Sequence, residues 1–176
     1  MKCLKGIKII FRRCSNEIRK VNFKLAIILS AIFLLIGIFV WSFGKDIHKF
    51  ISIFIFPKFA MPLIIMYLLW AIAYIIMGIT IYAIMFTCES YKKPIAQKIT
   101  FLLCMSILFS YFAYLLFFSA NAPTMSCIML FISFLFTIIS FIESKKIYIV
   151  WTFLIFTYSV WLFYNMIIPL SFLIIN

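Results

Sequence analysis

From Ile99 to Ile142 the chain runs for 44 residues without a charged side chain. A folded domain in water cannot hide so long a run, so its solvent must be largely lipid. A helix crosses the hydrocarbon core with about 20 residues, which makes the run long enough for two crossings. The polar, proline-containing stretch "SANAPT" (Ser119–Thr124) stands near its middle and divides it. Leu25–Gly44, Phe59–Cys88 and Tyr148–Asn176 are further uncharged runs. Composition agrees: 68% of the 176 residues are hydrophobic and only 11% charged, more apolar surface than a chain of this length can bury.

Five spans follow, at about 24–44, 61–86, 99–119, 124–142 and 147–169. The expected fold is an all-α membrane protein, a five-transmembrane-helix bundle occupying residues 23–176. A membrane β-barrel would need short segments of alternating polarity, whereas these runs are apolar on every face. The first span is longer than the apolar core of a signal peptide, and "WSFGK" offers no small-residue cleavage site. It is read as a true span.

An odd number of spans puts the two termini on opposite sides. The side holding the N terminus and the 2–3 and 4–5 loops carries thirteen basic residues: Lys2, Lys5, Lys8, Arg12, Arg13, Arg19, Lys20, Lys24, Lys92, Lys93, Lys98, Lys145 and Lys146. The other side has three: Lys45, Lys49 and Lys58. The positive-inside rule then makes the N terminus cytoplasmic and the C terminus external. The net charge of +12 is accounted for by topology, with no nucleic-acid partner needed. Within residues 1–22, Leu4, Ile7, Phe11, Cys14 and Ile18 recur at alternating steps of three and four among basic residues. This segment reads either as a basic amphipathic helix lying on anionic lipid or as a solvated tail.

Conventional catalytic chemistry is hard to place. The acidic residues Glu17, Asp46, Glu89 and Glu143 and the single histidine, His48, fall in the tail, in loops or at span ends. No intramembrane charge, P-loop, hydrolase elbow or metal-ligand spacing is present, and the five cysteines form no CxxC. No metal site and no required cofactor are expected. What remains is an uncharged, aromatic-rich bundle of the kind that binds flat apolar molecules.

The second span is the most informative. Tyr67, Trp70, Tyr74, Met77, Gly78 and Ile81 step by three and four and so share one helix face. Gly78 permits close approach to the backbone, while Pro57 and Pro62 stand before and at the helix start, where a missing N–H is tolerated. By spacing, the stripe is either a packing face or a ligand wall.

The stretch "PKFAMPLIIMYLLWAIAYIIMGI" (residues 57–79) resembles the second-helix signature of the TspO/MBR family, which comprises the tryptophan-rich sensory proteins and the translocator protein. Phe59, Pro62, Trp70, Tyr74, Met77 and Gly78 match it without a gap. Met61 stands at the first proline of the family's pair, and Pro57-Lys58 replaces its Lys-Pro. "PTMSCIML" is similar to the start of the family's fourth helix, with Ser126 where an Asp is usual. In the fifth span Tyr148 and Trp151 keep the family's tyrosine and tryptophan, Ile147 replaces its proline, and Trp161 and Asn165 follow. The third span, "MSILFSYFAYLLFF", lacks the family's L-N-x-x-W-S, and the 4–5 connection "ESKK" is short.

The resemblance covers about residues 25–168. It implies a receptor or sensor that binds a porphyrin or another flat tetrapyrrole, haem-type rings included, within the bundle near the 1–2 loop. Trp70 and Trp151 would be aromatic walls, with Tyr74 one turn below Trp70. Tyr67 and Tyr148 would stand nearby, and Ser106 or Ser110 would supply a polar contact. A light- and oxygen-dependent porphyrin-degrading enzyme and a transporter of porphyrins or lipids are the alternatives it leaves open. A homodimer in a bacterial cell membrane is also implied. The family's proposed cholesterol pattern, a tyrosine followed by a basic residue, is absent from "PLSFLIIN".

Overall fold

The structure is a computed structural model that describes residues 18–19, 21–43, 57, 59–147 and 149–175. It is all-α among these residues, with five helices long and apolar enough to cross a membrane. These are α1 (Phe23–Ser42), α2 (Leu63–Phe86), α3 (Lys93–Phe118), α4 (Pro123–Ser144) and α5 (Ile149–Ile175). A single 3₁₀ turn, Ser90–Lys92, leads into α3. Most of the 1–22 segment, together with Tyr148 and Lys58, lies outside the described residues.

Prolines and one asparagine set the helix boundaries. Pro62 caps α2, and its carbonyl accepts from the amides of Ile65 and Met66 at 2.9 and 3.1 Å. Prolines also occupy the first turn of α3 and of α4, where their missing N–H would have had no helical partner. Between α3 and α4, Asn121 adopts φ 50°, a left-handed conformation that asparagine tolerates. The amides of Ala120 and Ala122 fold back onto the carbonyls of Leu115 and Leu116 and close the turn. Two helices outrun the sequence estimate. α3 begins at Lys93, because the lysines of its first turns can extend into the headgroup layer. α5 continues through Pro169 to Ile175.

The helices form a ring in the order α1, α2, α5, α4, α3, with α2 and α3 also meeting across the middle. Outward faces carry Ile, Leu and Phe exposed to the place of lipid, such as Phe131, Leu135, Ile139 and Ile142 of α4. The inward face of α4 is smaller and more polar. On α4, Ser126, Leu130, Ser133, Thr137, Ser140 and Ser144 recur by four and three residues, and all are buried. Without a hydrophobic drive between helices in lipid, close backbone approach and interhelical hydrogen bonds hold such pairs together. Ser133 Oγ donates to the Ser106 carbonyl at 2.8 Å, and the Ser106 hydroxyl bonds Thr137 Oγ1 at 2.7 Å. At the far end of the seam Thr152 of α5 donates to Ser144 Oγ at 2.9 Å.

α1 is attached by a narrow stripe, burying only Ala26, Ser30 and Gly37. Ser30 crosses α2 directly over Gly78, where an added Cβ would sit 2.5 Å from Ser30 Cα. That approach lets Ser30 Oγ reach the Ile75 carbonyl at 3.0 Å. A Cβ on Gly37 would meet the Tyr74 ring at 3.0 Å. The two glycines seat α1 against α2 at two levels.

The end of the bundle opposite the α1–α2 loop carries the lysines. There Glu143 accepts from Lys98 at 2.9 Å and from Lys146 at 2.8 Å, linking α3 to the end of α4.

Candidate functional site

The face of α2 that carries Tyr67, Trp70 and Tyr74 turns into the ring of helices, and three neighbours answer it with aromatic side chains. Trp70 lies 5.2 Å from Tyr74 and meets Trp161 of α5 edge-on at 5.7 Å. Tyr74 packs 4.7 Å from Tyr111 of α3. Trp41, from the last turn of α1, lies 5.2 Å from Tyr67 and within 6.3 Å of both Tyr74 and Tyr114. Trp161 in turn stacks on Tyr164 at 5.6 Å. Ring pairs at these separations are favourable beyond their buried area by about 0.5–1.5 kcal/mol each. The result is an aromatic box drawn from four helices, in the half of the bundle nearer the α1–α2 loop.

Hydrogen bonds fix the box and tie the loop to it. The hydroxyls of Tyr67 and Tyr114 bond each other at 3.1 Å, and Tyr111 donates to the carbonyl of Phe33 in α1. The Tyr164 hydroxyl donates to the Phe59 carbonyl at 3.3 Å and accepts from the Met61 amide at 3.2 Å. The segment entering α2 is thereby pinned to α5. Pro57 is buried beside it, and its carbonyl accepts from the Ala60 amide at 2.9 Å.

Behind Trp70 lies a small, partly open cavity of about 30 Å³, lined by Trp70, Ser110, Tyr114, Ser126, Asn165 and Pro169 among others. Its size suits about one water molecule, and its lining is mainly apolar, with Ser110, Ser126 and Asn165 as the polar side chains. Asn165 Nδ2 donates to the Trp161 carbonyl at 2.7 Å. Pro169 has no N–H to give the carbonyl of Asn165, four residues earlier, so that acceptor is released from the helix ladder. A freed carbonyl at membrane depth is sustained where it faces protein or a water-holding cavity. Ser126, Ser110 and Asn165 therefore form the polar tips of an otherwise apolar, aromatic chamber.

The residues singled out from sequence separate into groups. Trp70, Tyr74 and Tyr67 all lie in the box, and Ser110 lines the cavity behind Trp70. Ser106, one turn along α3, has its hydroxyl and carbonyl engaged with Ser133 and Thr137 in the α3–α4 seam. Trp151 is buried but stands ten residues before Trp161 on α5. At 1.5 Å per residue it lies about 15 Å closer to the lysine end. The tryptophan that meets Trp70 is Trp161. Tyr148 falls outside the described residues, and Gly78 packs against α1 through Ser30.

Trp41, Tyr111 and Tyr114 were not among the residues picked from sequence. For α3 the signal was available: Ser110, Tyr114 and Phe117 step by four and three, on a face with Ser106. For Trp41 there was none, because an aromatic residue at a span end reads equally as a membrane-interface anchor.

Among the described residues no three of the His, Cys, Asp and Glu side chains come together. Cys88, Cys104 and Cys127 are free thiols. The fold and box define a multi-pass, all-α membrane protein with an aromatic chamber between its helices. No family model, curated protein or solved structure matches the chain.

Proposed function

We propose that this chain is a TspO-like membrane receptor or sensor for a flat, hydrophobic ligand of the porphyrin class, held in the aromatic box. The observation supporting the reading is the placement of Trp70. It is buried against Tyr74 and Trp161 and faces a cavity whose polar tips come from three other helices. Trp70 and Trp161 supply ring faces, while Ser110, Ser126 and Asn165 supply hydrogen bonds to a polar edge. The N terminus lies on the cytoplasmic side by its charge, so the box opens toward the external side. The protein functions in a cell membrane, as a binder rather than an enzyme.

Ligand pockets for molecules of this size occupy about 300–1,000 Å³, and the cavity holds about 30 Å³. Binding therefore parts the helices, and α2 is the one to move, since it meets α3 and α5 less extensively than α4 does. Protoporphyrin titrated into the purified protein quenches tryptophan fluorescence in this reading. Trp70→Phe and Trp161→Phe weaken the apparent affinity, and the double variant Trp70→Ala/Trp161→Ala abolishes saturable quenching. Trp151→Phe retains the wild-type affinity, because Trp151 is nearly three helical turns away from the box. Wild-type affinity in the double alanine variant would refute the assignment.

A further inference from the structure

The lysine end of the bundle carries more positive charge than its own carboxylates can meet. Among the described residues, Lys92, Lys93, Lys98, Lys145 and Lys146 gather where α3 begins and α4 ends, against Glu89 and Glu143. Glu89 reaches Lys92 at 3.9 Å, and Glu143 takes both Lys98 and Lys146, at 2.9 and 2.8 Å. Lys93 and Lys145 have no ion pair among the described residues. Lys145 instead holds its ammonium over the Phe141 ring, 4.1 Å from the centroid, which orients the charge without neutralising it. Glu143 draws ammoniums from two helices onto one carboxylate, yet each ammonium has three donors and spends one there. Lys98, Lys145 and Lys146 therefore set three ammoniums against one carboxylate at a single corner of the bundle.

The surface below that corner is apolar and bare. On α3, Phe101, Leu108 and Phe112 continue the exposed stripe that Lys98 begins. On α4, Ile139 and Ile142 are exposed in the turns before Lys145 and Lys146. Ammoniums above an apolar helix face select an amphiphile with a negative head, the chemistry by which basic sites between membrane helices hold anionic lipids. A soluble anion would meet the lysines and leave the stripe uncovered. A zwitterionic lipid would cover the stripe but bring its own cation to the lysines. We propose that the α3–α4 corner at the lysine end is a selective binding site for an anionic phospholipid. Its phosphate accepts from Lys98, Lys145 and Lys146, and an acyl chain lies along Phe101 and Leu108. The site is at the end of the bundle opposite the aromatic box and does not rest on the porphyrin reading.

Native mass spectrometry of the full chain, released from detergent with phosphatidylglycerol or phosphatidylcholine of the same acyl chains, reads the preference. The expected result is a saturable one-to-one adduct that favours phosphatidylglycerol. Lys145→Gln, at an exposed residue with no ion pair to lose, lowers phosphatidylglycerol affinity about fivefold, the scale of one basic residue at an anionic lipid surface. The triple variant Lys98→Gln/Lys145→Gln/Lys146→Gln brings the two lipids near parity, whereas arginine at the same three positions keeps the preference. Lys24→Gln, at the start of α1, leaves it unchanged, which separates a site from the general charge of this end. Inorganic phosphate displaces the lipid no better than sodium chloride of equal ionic strength. Should the triple variant fail to fold, Lys145→Gln decides the matter alone. Equal retention of both lipids, adducts that accumulate without saturating, or an unchanged affinity in Lys145→Gln would overturn the proposal. So would an equal loss in Lys24→Gln, or specific displacement by inorganic phosphate, which would make the occupant a soluble anion.

Discussion

Gly78→Ala tests the packing that holds α1 in place. The new methyl would sit 2.5 Å from Ser30 Cα and 2.6 Å from Ser30 Oγ. Carbon–carbon contacts are comfortable near 3.5–4.0 Å, so α1 must withdraw by roughly 1 Å at this level. The obstacle is backbone, which no rotamer change can relieve. Withdrawal of that size takes the 3.0 Å bond from Ser30 Oγ to the Ile75 carbonyl out of range. An interhelical hydrogen bond in a membrane protein contributes about 0.6 kcal/mol, and overpacking of a close contact adds about 1–3 kcal/mol. The expected destabilisation is about 2 kcal/mol. Reversible unfolding in a detergent–denaturant titration measures it, with a fluorophore pair on α1 and α2 reporting their separation. Gly37→Ala is the internal comparison: its Cβ would meet the Tyr74 ring at 3.0 Å. A ring can tilt, so the stability loss is smaller while the box geometry changes. Ser30→Gly relieves Gly78→Ala only in part, because the backbone contact remains. A Gly78→Ala protein within 0.5 kcal/mol of wild type, with α1 undisplaced, would refute the reasoning.

Other substitutions probe the seam, the box and the loop anchor. Ser106→Ala breaks the shared bonds to Ser133 and Thr137 and is expected to destabilise by about 1–2 kcal/mol, read by the same titration, with porphyrin quenching little changed. Tyr67→Phe and Tyr114→Phe each remove the one bond between their hydroxyls. Each loses about 0.5–1 kcal/mol, and the double variant loses little more than either single one. Tyr164→Phe frees the loop end at Phe59 and Met61, which amide exchange at Met61 detects as faster, with stability of the helices otherwise retained.

Which parts of this structure could be read from the chain depends on whether the determining signal was local. The five spans were legible because charge-free length is a direct requirement of the bilayer, and the prolines at 62, 94 and 123 mark three helix starts. Helix ends were less so: α5 runs through Pro169 because a proline inside a membrane helix is tolerated when its orphaned carbonyl has a sheltered place. The face of α2 carrying Tyr67, Trp70 and Tyr74 was legible from its steps of three and four. Which partners answer it was not. Ser106 and Ser110 are one turn apart on one face, yet one closes a helix–helix seam and the other lines a cavity. That difference is decided by where Ser133 and Thr137 fall on another helix, and no spacing within α3 contains it.

The two tryptophans of α5 carry the same lesson into function. Trp151 and Trp161 are separated by ten residues, close to three helical turns, so both can turn inward, and periodicity alone leaves them equivalent. Depth distinguishes them. α2 and α5 run in opposite directions, so a residue early in α2 lies level with one late in α5. Trp70 is the eighth residue of α2, whose 24 residues descend from the loop end. Its partner must therefore lie well past the start of α5, which excludes Trp151, the third residue, and admits Trp161, the thirteenth. Polar groups follow the same partition by depth. Ser110, Ser126 and Asn165 gather at the level of Trp70, whereas Ser144 and Thr152 bond each other near the lysine end, one residue from Trp151. Among the described residues, the edge-on pair of tryptophans from two helices and the polar side chains Ser110, Ser126 and Asn165 lie together at the loop end, beside Trp70 and Trp161.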